Sequence, residues 1–430
     1  MILVAFAGLG SLYFRSYVKQ RSHGIILFVV NGLDLSLLNA TRQQLEAART
    51  DIKAEIRKVA LQRQVHLHSH LLHIEALPHA AVINIQALGQ QVADEGAAST
   101  ALASGVRVKN GLIGCNSLNQ PLDSLIYAAQ RSGRSTGIVT TSSLLQPTPV
   151  AFYSHLRDAS EKYRVAADLV DGSHIDIVLG GGGTYFSPPN VVNESGRTDG
   201  RDLISEAERK GYTIVRTADD LNNVPAWRTR ELFGIFAPDQ FEYIGLPQHD
   251  RRQPSLSDMT RTAIQCLQYN IGGYFLVVEH GLVGSAAKRN MTELTIDEVE
   301  ALDQAIKTAI DYAGTDALII VTNNFSLGIL DQESQATQAA STRPAPIWHI
   351  GPGGPQETAS QQAWYRAQVE SGAFSAKKND LLRPDPAALF ATEAVPTNRP
   401  AWLAARGFDS DHFGGFYSNI ELFSILEKEF

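Results

Sequence analysis

Cysteine is nearly absent: Cys115 and Cys266 are the only two in 430 residues, and neither sits in a CxxC pair. That rules out a disulfide framework and the usual cysteine-based zinc motifs, and leaves two small hydrophobes. Charge is sparse too, at 19% of residues with a net −8, and no block of Lys and Arg stands out. A nucleic-acid partner is not expected, because neutralising phosphates takes a clustered basic face. The apolar run Met1–Phe14 falls short of the roughly 20 residues that span a bilayer. It reads as an anchor or signal-like segment within residues 1–21, which allows membrane association through residues 1–14 and a membrane-anchored or exported location. Arg15, Lys19 and Arg21 follow the run, and on the positive-inside tendency they favour a cytoplasmic side for what comes next. Both placements stay open.

Hydrophobic residues, by contrast, make up 44% of the chain, enough for a large buried core. Apolar strand-like runs recur at Ile25–Val30, Gly137–Thr140, Ile175–Leu179, Tyr274–Val278, Ala317–Thr322 and Pro346–Ile350. Most are continuous, as strands covered on both faces are. Helical patterns fall between them at Leu37–Arg57, Ser99–Gly105, Pro121–Arg131, Ser257–Tyr269 and Ile296–Tyr312. The alternation predicts an α/β fold with a mostly parallel sheet wrapped by helices, and a crevice at the carboxyl ends of the strands. Residues 22–430 read as one domain, with about 351–400, rich in Pro, Gly, Gln and Ala, as an inserted excursion. Gly180–Gly183 closes one strand; with no GK[ST] after it, a tight turn is expected rather than a phosphate loop.

The residues after these strands resemble the alkaline phosphatase family. The strongest match is Gln91-Val92-Ala93-Asp94-Glu95-Gly96-Ala97-Ala98-Ser99-Thr100-Ala101, followed by Ser104-Gly105-Val106-Arg107 and Asn110-Gly111-Leu112-Ile113-Gly114. Further matches are Ile138-Val139-Thr140-Thr141, Thr148-Pro149, Asp176 to Gly182, Pro254 to Thr260, Phe275 to Glu279 and Ile320-Val321-Thr322, with a weaker echo at Ala405-Arg406-Gly407. They run in family order from about Ile25 to Thr322. The resemblance implies a three-layer sandwich with a central, mostly parallel sheet and helices on both faces.

It also implies a chemistry: a serine attacks phosphorus, two zinc ions steady the attacking and leaving oxygens, magnesium sits alongside, and an arginine grips the phosphate. Each part can be sought by position. Where the family has its serine, after Asp94, this chain has Glu95, a poor nucleophile that repels phosphate yet suits a helix N-terminus. The aspartate that ends the first strand becomes Asn31. The aspartate and histidine expected after Glu279 fall at Gly284 and Lys288, and the Asp-His pair after Thr322 at Asn324 and Phe325. The last zinc histidine falls near Pro396, and the phosphate-gripping arginine at Ala159, with Arg157 offset by two. Thr148 and Glu279 survive as magnesium-type ligands, with Gln146 in place of a third. Zinc is therefore not expected; weak magnesium at Thr148 and Glu279 is the residual option, since hard cations favour several anionic oxygens.

Lys288 is expected to project toward Glu95 and Glu279, so that an ion-pair network stands in for metals; the competing reading has it point to solvent. Ser99 and Thr100 read as small residues for close packing, and His66, His68, His70 and His73 as ordinary core or surface histidines rather than a metal site. The leading expectation is a pseudoenzyme on a phosphatase frame, acting as a structural, scaffolding or binding protein, with a protein partner or self-association. The alternative is a divergent metal-dependent phosphomonoesterase or phosphodiesterase with a rebuilt site.

Overall fold

Ten of the strands join one sheet. The computed structural model describes residues 21–35, 37–42, 45, 72–157, 161–189, 196–247, 249–289, 291–327, 329–331, 347–349, 396–397 and 400–430. Their strands are β1 (Gly24–Val30), β2 (His79–Asn84), β3 (Ser135–Ser143), β4 (Ile177–Gly181), β5 (Thr213–Val215), β6 (Leu232–Ile235), β7 (Tyr274–Glu279), β8 (Ala317–Asn323), β9 (Ser326–Leu327), β10 (Ile329–Asp331), β11 (Ile347–His349), β12 (Pro396–Thr397), β13 (Ala401–Gly407) and β14 (Gly415–Ser418). The α-helices are α1 (Glu95–Ser104), α2 (Leu125–Arg131), α3 (Pro147–Tyr153), α4 (Lys162–Asp171), α5 (Leu203–Arg209), α6 (Ala218–Asn222), α7 (Leu256–Leu267), α8 (Gly281–Lys288), α9 (Thr292–Tyr312) and α10 (Asn419–Glu427).

The sheet order is β14-β2-β13-β8-β1-β7-β3-β4-β6-β5. β1 lies between β7 and β8 and runs parallel to both. Parallel pairing continues through β3, β4, β6 and β5, while β13 runs antiparallel to β8 and β2. Every residue of β1 is buried, which is what its unbroken apolar run requires. Successive side chains of a strand face opposite ways. Accordingly Ile26, Phe28 and Val30 join a core with Met259, Ile264 and Leu302 of α7 and α9. Ile25, Leu27 and Val29 join a second core with Ala97, Leu125, Val150 and Leu422 of α1, α2, α3 and α10. Helix, sheet and helix make three layers, as expected.

Apart from Leu37–Arg57, most of which lies outside the described residues, the expected runs are realised with shifted ends; the pattern at Ser99–Gly105, for instance, begins at Glu95. Strands β2 and β13 carried no expectation. β2 alternates between buried and exposed positions, a weaker signal than a continuous apolar run. The strand expected at Pro346–Ile350 forms as Ile347–His349, but it pairs with β10 in a separate two-stranded ribbon, outside the main sheet. The glycine run does turn, with Gly182 at φ +103°, and a side chain on Gly181 would lie 1.8 Å from the Asp239 carbonyl. Backbone must pass there. The apolar segment Met1–Phe14, His66, His68, His70, Ala159 and most of residues 351–400 lie outside the described residues. No helix among the described residues is long and apolar enough to cross a membrane.

Candidate functional site

Four neighbouring strands in the order β8-β1-β7-β3 deliver polar residues to one rim. Asn31 follows β1, Glu279 ends β7, Asn324 follows β8, and Thr140 and Ser142 lie toward the end of β3. Strands pin these residues laterally: Glu279 pairs with Val29 of β1 and Thr140 of β3. Two helices complete the crevice from the side of the second core. α1 opens with Glu95 directly after its cap, and α3 supplies Thr148 from its first turn. Asp94 accepts from the Ala97 N–H at 2.8 Å through one carboxylate oxygen and from the Gly111 N–H at 2.6 Å through the other. Its carboxylate is thus engaged in capping α1 and tying down the following loop.

At the centre is the side-chain amide of Asn31, 4% exposed. Its Nδ2 lies 3.0 Å from Glu95 Oε1, 3.1 Å from Thr148 Oγ1 and 3.4 Å from Glu279 Oε1. Thr148 also donates to Glu95 Oε1 at 3.1 Å and shares a hydrogen bond with Ser99 Oγ at 3.0 Å. Asn324 Nδ2 reaches Ser99 Oγ at 2.6 Å and Asn31 Oδ1 at 3.4 Å. Glu279 is held on one oxygen by Thr140 and on the other by Ser142 at 3.4 Å. Buried polar groups need such partners, and here the amides and hydroxyls supply them.

Both carboxyls prefer their proton more than usual. Burial pushes Glu95 up, against hydrogen bonds from Thr148 and the charge of Lys288, which pull it down. Burial raises Glu279 to about 8, opposed by the Thr140 bond, with the charge of Glu95 adding to the rise. Lys288 itself is exposed at the end of α8, its charge acting on Glu95. Gly284 does more than lack a ligand. A side chain there would lie 2.8 Å from the Asn31 carbonyl oxygen, so α8 rests against the turn that carries Asn31. Phe325 is buried in the first core, and its carbonyl accepts from the Gly32 N–H at 3.0 Å.

Not every expected residue joins the network. Gln146 precedes α3 and makes no side-chain capping bond. Arg157 is exposed, its charge acting on His155, Cys115 and Glu161. Pro396 sits in β12, paired with Leu327 of β9 just beyond the crevice strands. The reading of Ser99 as a packing residue is corrected, because its hydroxyl links Thr148 to Asn324. Thr100 serves backbone instead, donating to the Gly96 carbonyl at 2.7 Å and accepting from the Gly114 N–H at 2.9 Å. Ser99, Thr140 and Ser142 were missed as site residues. One signal for Ser99 was available: it stands four residues after Glu95, on the same helix face.

Among the described residues, those lining the crevice do not fit a dinuclear zinc centre, which takes imidazole and carboxylate ligands. His280, beside Glu279, spends its ring on Thr141 Oγ1 at 2.8 Å and the Glu298 carbonyl at 2.9 Å. The one trio of metal-type side chains among the described residues, Asp409, His412 and Glu429, is elsewhere. Its Glu429 carbonyl is held by Arg134, which also donates to His23 ahead of β1, at the opposite end of the strands.

Comparison with known proteins agrees with this architecture. The family model for alkaline phosphatase matches residues 23–352. Alkaline phosphatase 4 of Bacillus subtilis is 34% identical over 247 residues, covering 55% of this chain and 50% of that protein. The chain thus spans about half the length of that relative. The alkaline phosphatase of Gadus morhua is 28% identical over 356 residues, covering 74% and 71% of the two chains. Among solved structures, the Thermus thermophilus alkaline phosphatase superimposes with a TM-score of 0.70 at 23% identity, covering 96% of this chain and 92% of that one. The enzyme from the Antarctic bacterium TAB5 gives 0.67 at 19% identity, covering 95% and 98%.

Proposed function

We infer that this chain, which belongs to the alkaline phosphatase family, is a non-catalytic member: a structural, scaffolding or binding protein built on a phosphatase frame. The observation that carries the reading is the position of the Asn31 amide. An uncharged N–H donor, with Glu95 Oε1, Thr148 Oγ1 and Glu279 Oε1 at 3.0 to 3.4 Å, stands where three oxygens would otherwise converge on a cation. Burial raises both nearby carboxyls above their ordinary range, and the Lys288 charge acts on Glu95 against that rise. Without cations a departing phosphate oxyanion lacks its main stabilisation, and Glu95 cannot replace a serine alkoxide. The role left to such a frame is to hold a protein partner or a second copy of itself.

A second reading keeps some metal. The same three oxygens, with Asn31 Oδ1 turned inward, make an all-oxygen set of the kind magnesium accepts. Elemental analysis of purified protein and a phosphomonoester assay across pH, with and without added zinc and magnesium, separate the two. The expected result is no stoichiometric metal and no turnover above blank; Glu95→Ser alone does not restore activity. One bound zinc pair per chain, or saturable turnover, overturns the reading. Stoichiometric magnesium with turnover favours the second.

A further inference from the structure

The polypeptide enters the fold at the end opposite the crevice, ahead of β1. We propose that this end docks on an anionic phospholipid surface through Trp227, Arg228 and Arg230 ahead of β6 and Tyr269 and Ile271 ahead of β7, so that the crevice points away from the bilayer. This contact is available whether or not the crevice turns over a substrate.

Strands β1, β7, β3, β4 and β6 run parallel, so the loops that precede them gather at one end of the sheet. Two of these loops expose large side chains: Ile271 is 99% exposed, Trp227 65% and Tyr269 47%. The loops meet, because the Arg230 guanidinium lies over the Tyr269 ring at 5.5 Å. Arg228 lies over Trp227 at 5.7 Å, and both arginines are exposed. The acids at this end stand apart from them. Glu231 faces Gly211 and Tyr212 ahead of β5, while Asp316 before β8 and Asp409 after β13 are on the other side of β1. Aromatic rings with polar tips, an aliphatic loop tip and arginines form the mixture that settles at headgroup level. Each basic side chain near anionic lipid strengthens binding by about fivefold.

The chain itself points to a lipid surface as the occupant. His23 Nε2 lies 3.0 Å from the Gln268 carbonyl oxygen, and the His23 carbonyl accepts from the Tyr274 N–H at 2.9 Å. The loop carrying Tyr269 and Ile271 is therefore beside the point where the polypeptide arrives. Ahead of that point the sequence holds the apolar run Met1–Phe14, then Arg15, Lys19 and Arg21. Phe14 precedes Arg21 by seven residues, so it lies within about 25 Å of it. If that run partitions into lipid, both loops are held close to the same surface. Stable attachment takes two signals, one apolar and one basic, and this end supplies both.

Cys115 and Cys266 are buried, so an added surface cysteine takes a polarity-sensitive fluorophore selectively. The test labels the full chain at Ile271→Cys or, as a control, at Leu35→Cys, an exposed apolar position beyond β1 at the crevice end. Each protein is mixed with vesicles of phosphatidylcholine, alone or with about one-third phosphatidylglycerol. The expected result is flotation with the anionic vesicles and a blue shift of the label at position 271 but not at 35. Arg228→Glu with Arg230→Glu should weaken that binding by at least about 25-fold. Absence of flotation overturns the proposal. So does flotation without a shift at 271, which leaves residues 1–14 holding the chain alone, or an equal shift at 35, or undiminished binding by the charge-reversed protein. A shift at 271 that appears on concentrating the protein without vesicles assigns the patch to a second copy, and the proposal is lost. Circular dichroism checks folding, and Trp227→Ser, with binding expected to fall severalfold, replaces the charge reversal if that variant misfolds.

Discussion

Glu279 carries a carboxyl displaced far above its ordinary range by burial. Its folded-state value of about 8 lies above the 4.5 of an exposed glutamate. A carboxyl raised in the folded state contributes stability that is complete at low pH and lost as pH climbs through the folded value. Unfolding free energy should therefore decline between about pH 5 and pH 9, and Glu279→Gln, a near copy of the protonated form, should flatten that decline. Urea melts of both proteins at pH 6 and pH 9 check it; a slope unchanged by the substitution refutes the assignment. The place of this residue at the end of an apolar run was legible, and its site role came from the resemblance as a magnesium-type ligand; its acceptor role toward Asn31 was not foreseen. Its hold by Thr140 and Ser142 was not, because hydroxyls inside a strand leave no periodic mark. Asn31, Glu95, Thr148 and Asn324 were identifiable only through resemblance, since an isolated Asn or Thr after a strand carries no chemistry of its own.

Among elements, α8 is the one whose position is set by a missing side chain. Gly284 lets its backbone lean on the Asn31 turn, with a would-be Cβ 2.8 Å from a carbonyl oxygen. Alanine normally stabilises a helix interior over glycine by up to about 1 kcal/mol. Here the collision with backbone should outweigh that gain, so Gly284→Ala is expected to destabilise by about 1–3 kcal/mol, the range of overpacking. A shift of the urea midpoint to higher concentration would contradict the contact. The sequence marked this position as a ligand lost; the packing reason became visible only once α8 and β1 were set side by side. The same holds for β2 and β13, whose pairing depends on residues more than 300 positions apart, such as Val82 and Trp402. Local pattern cannot register a partner that far away.

At the scale of the whole molecule, stability comes from two apolar cores on either side of the sheet, with β1 contributing alternate residues to each. The continuous strands made that three-layer plan readable, and the short or half-exposed edge strands did not. Both cores are built from apolar side chains of the described residues. Prolonged dialysis against a chelator should leave the thermal midpoint unmoved, whereas a structural metal would reveal itself by a large drop. The amide of Asn31 adds a further consequence. It is carried in the polypeptide from synthesis onward, while a cation must be captured from the surroundings. On the non-catalytic reading proposed above, maturation should run at the pace of folding alone, and starving a culture of zinc should leave the yield of native molecules where it was.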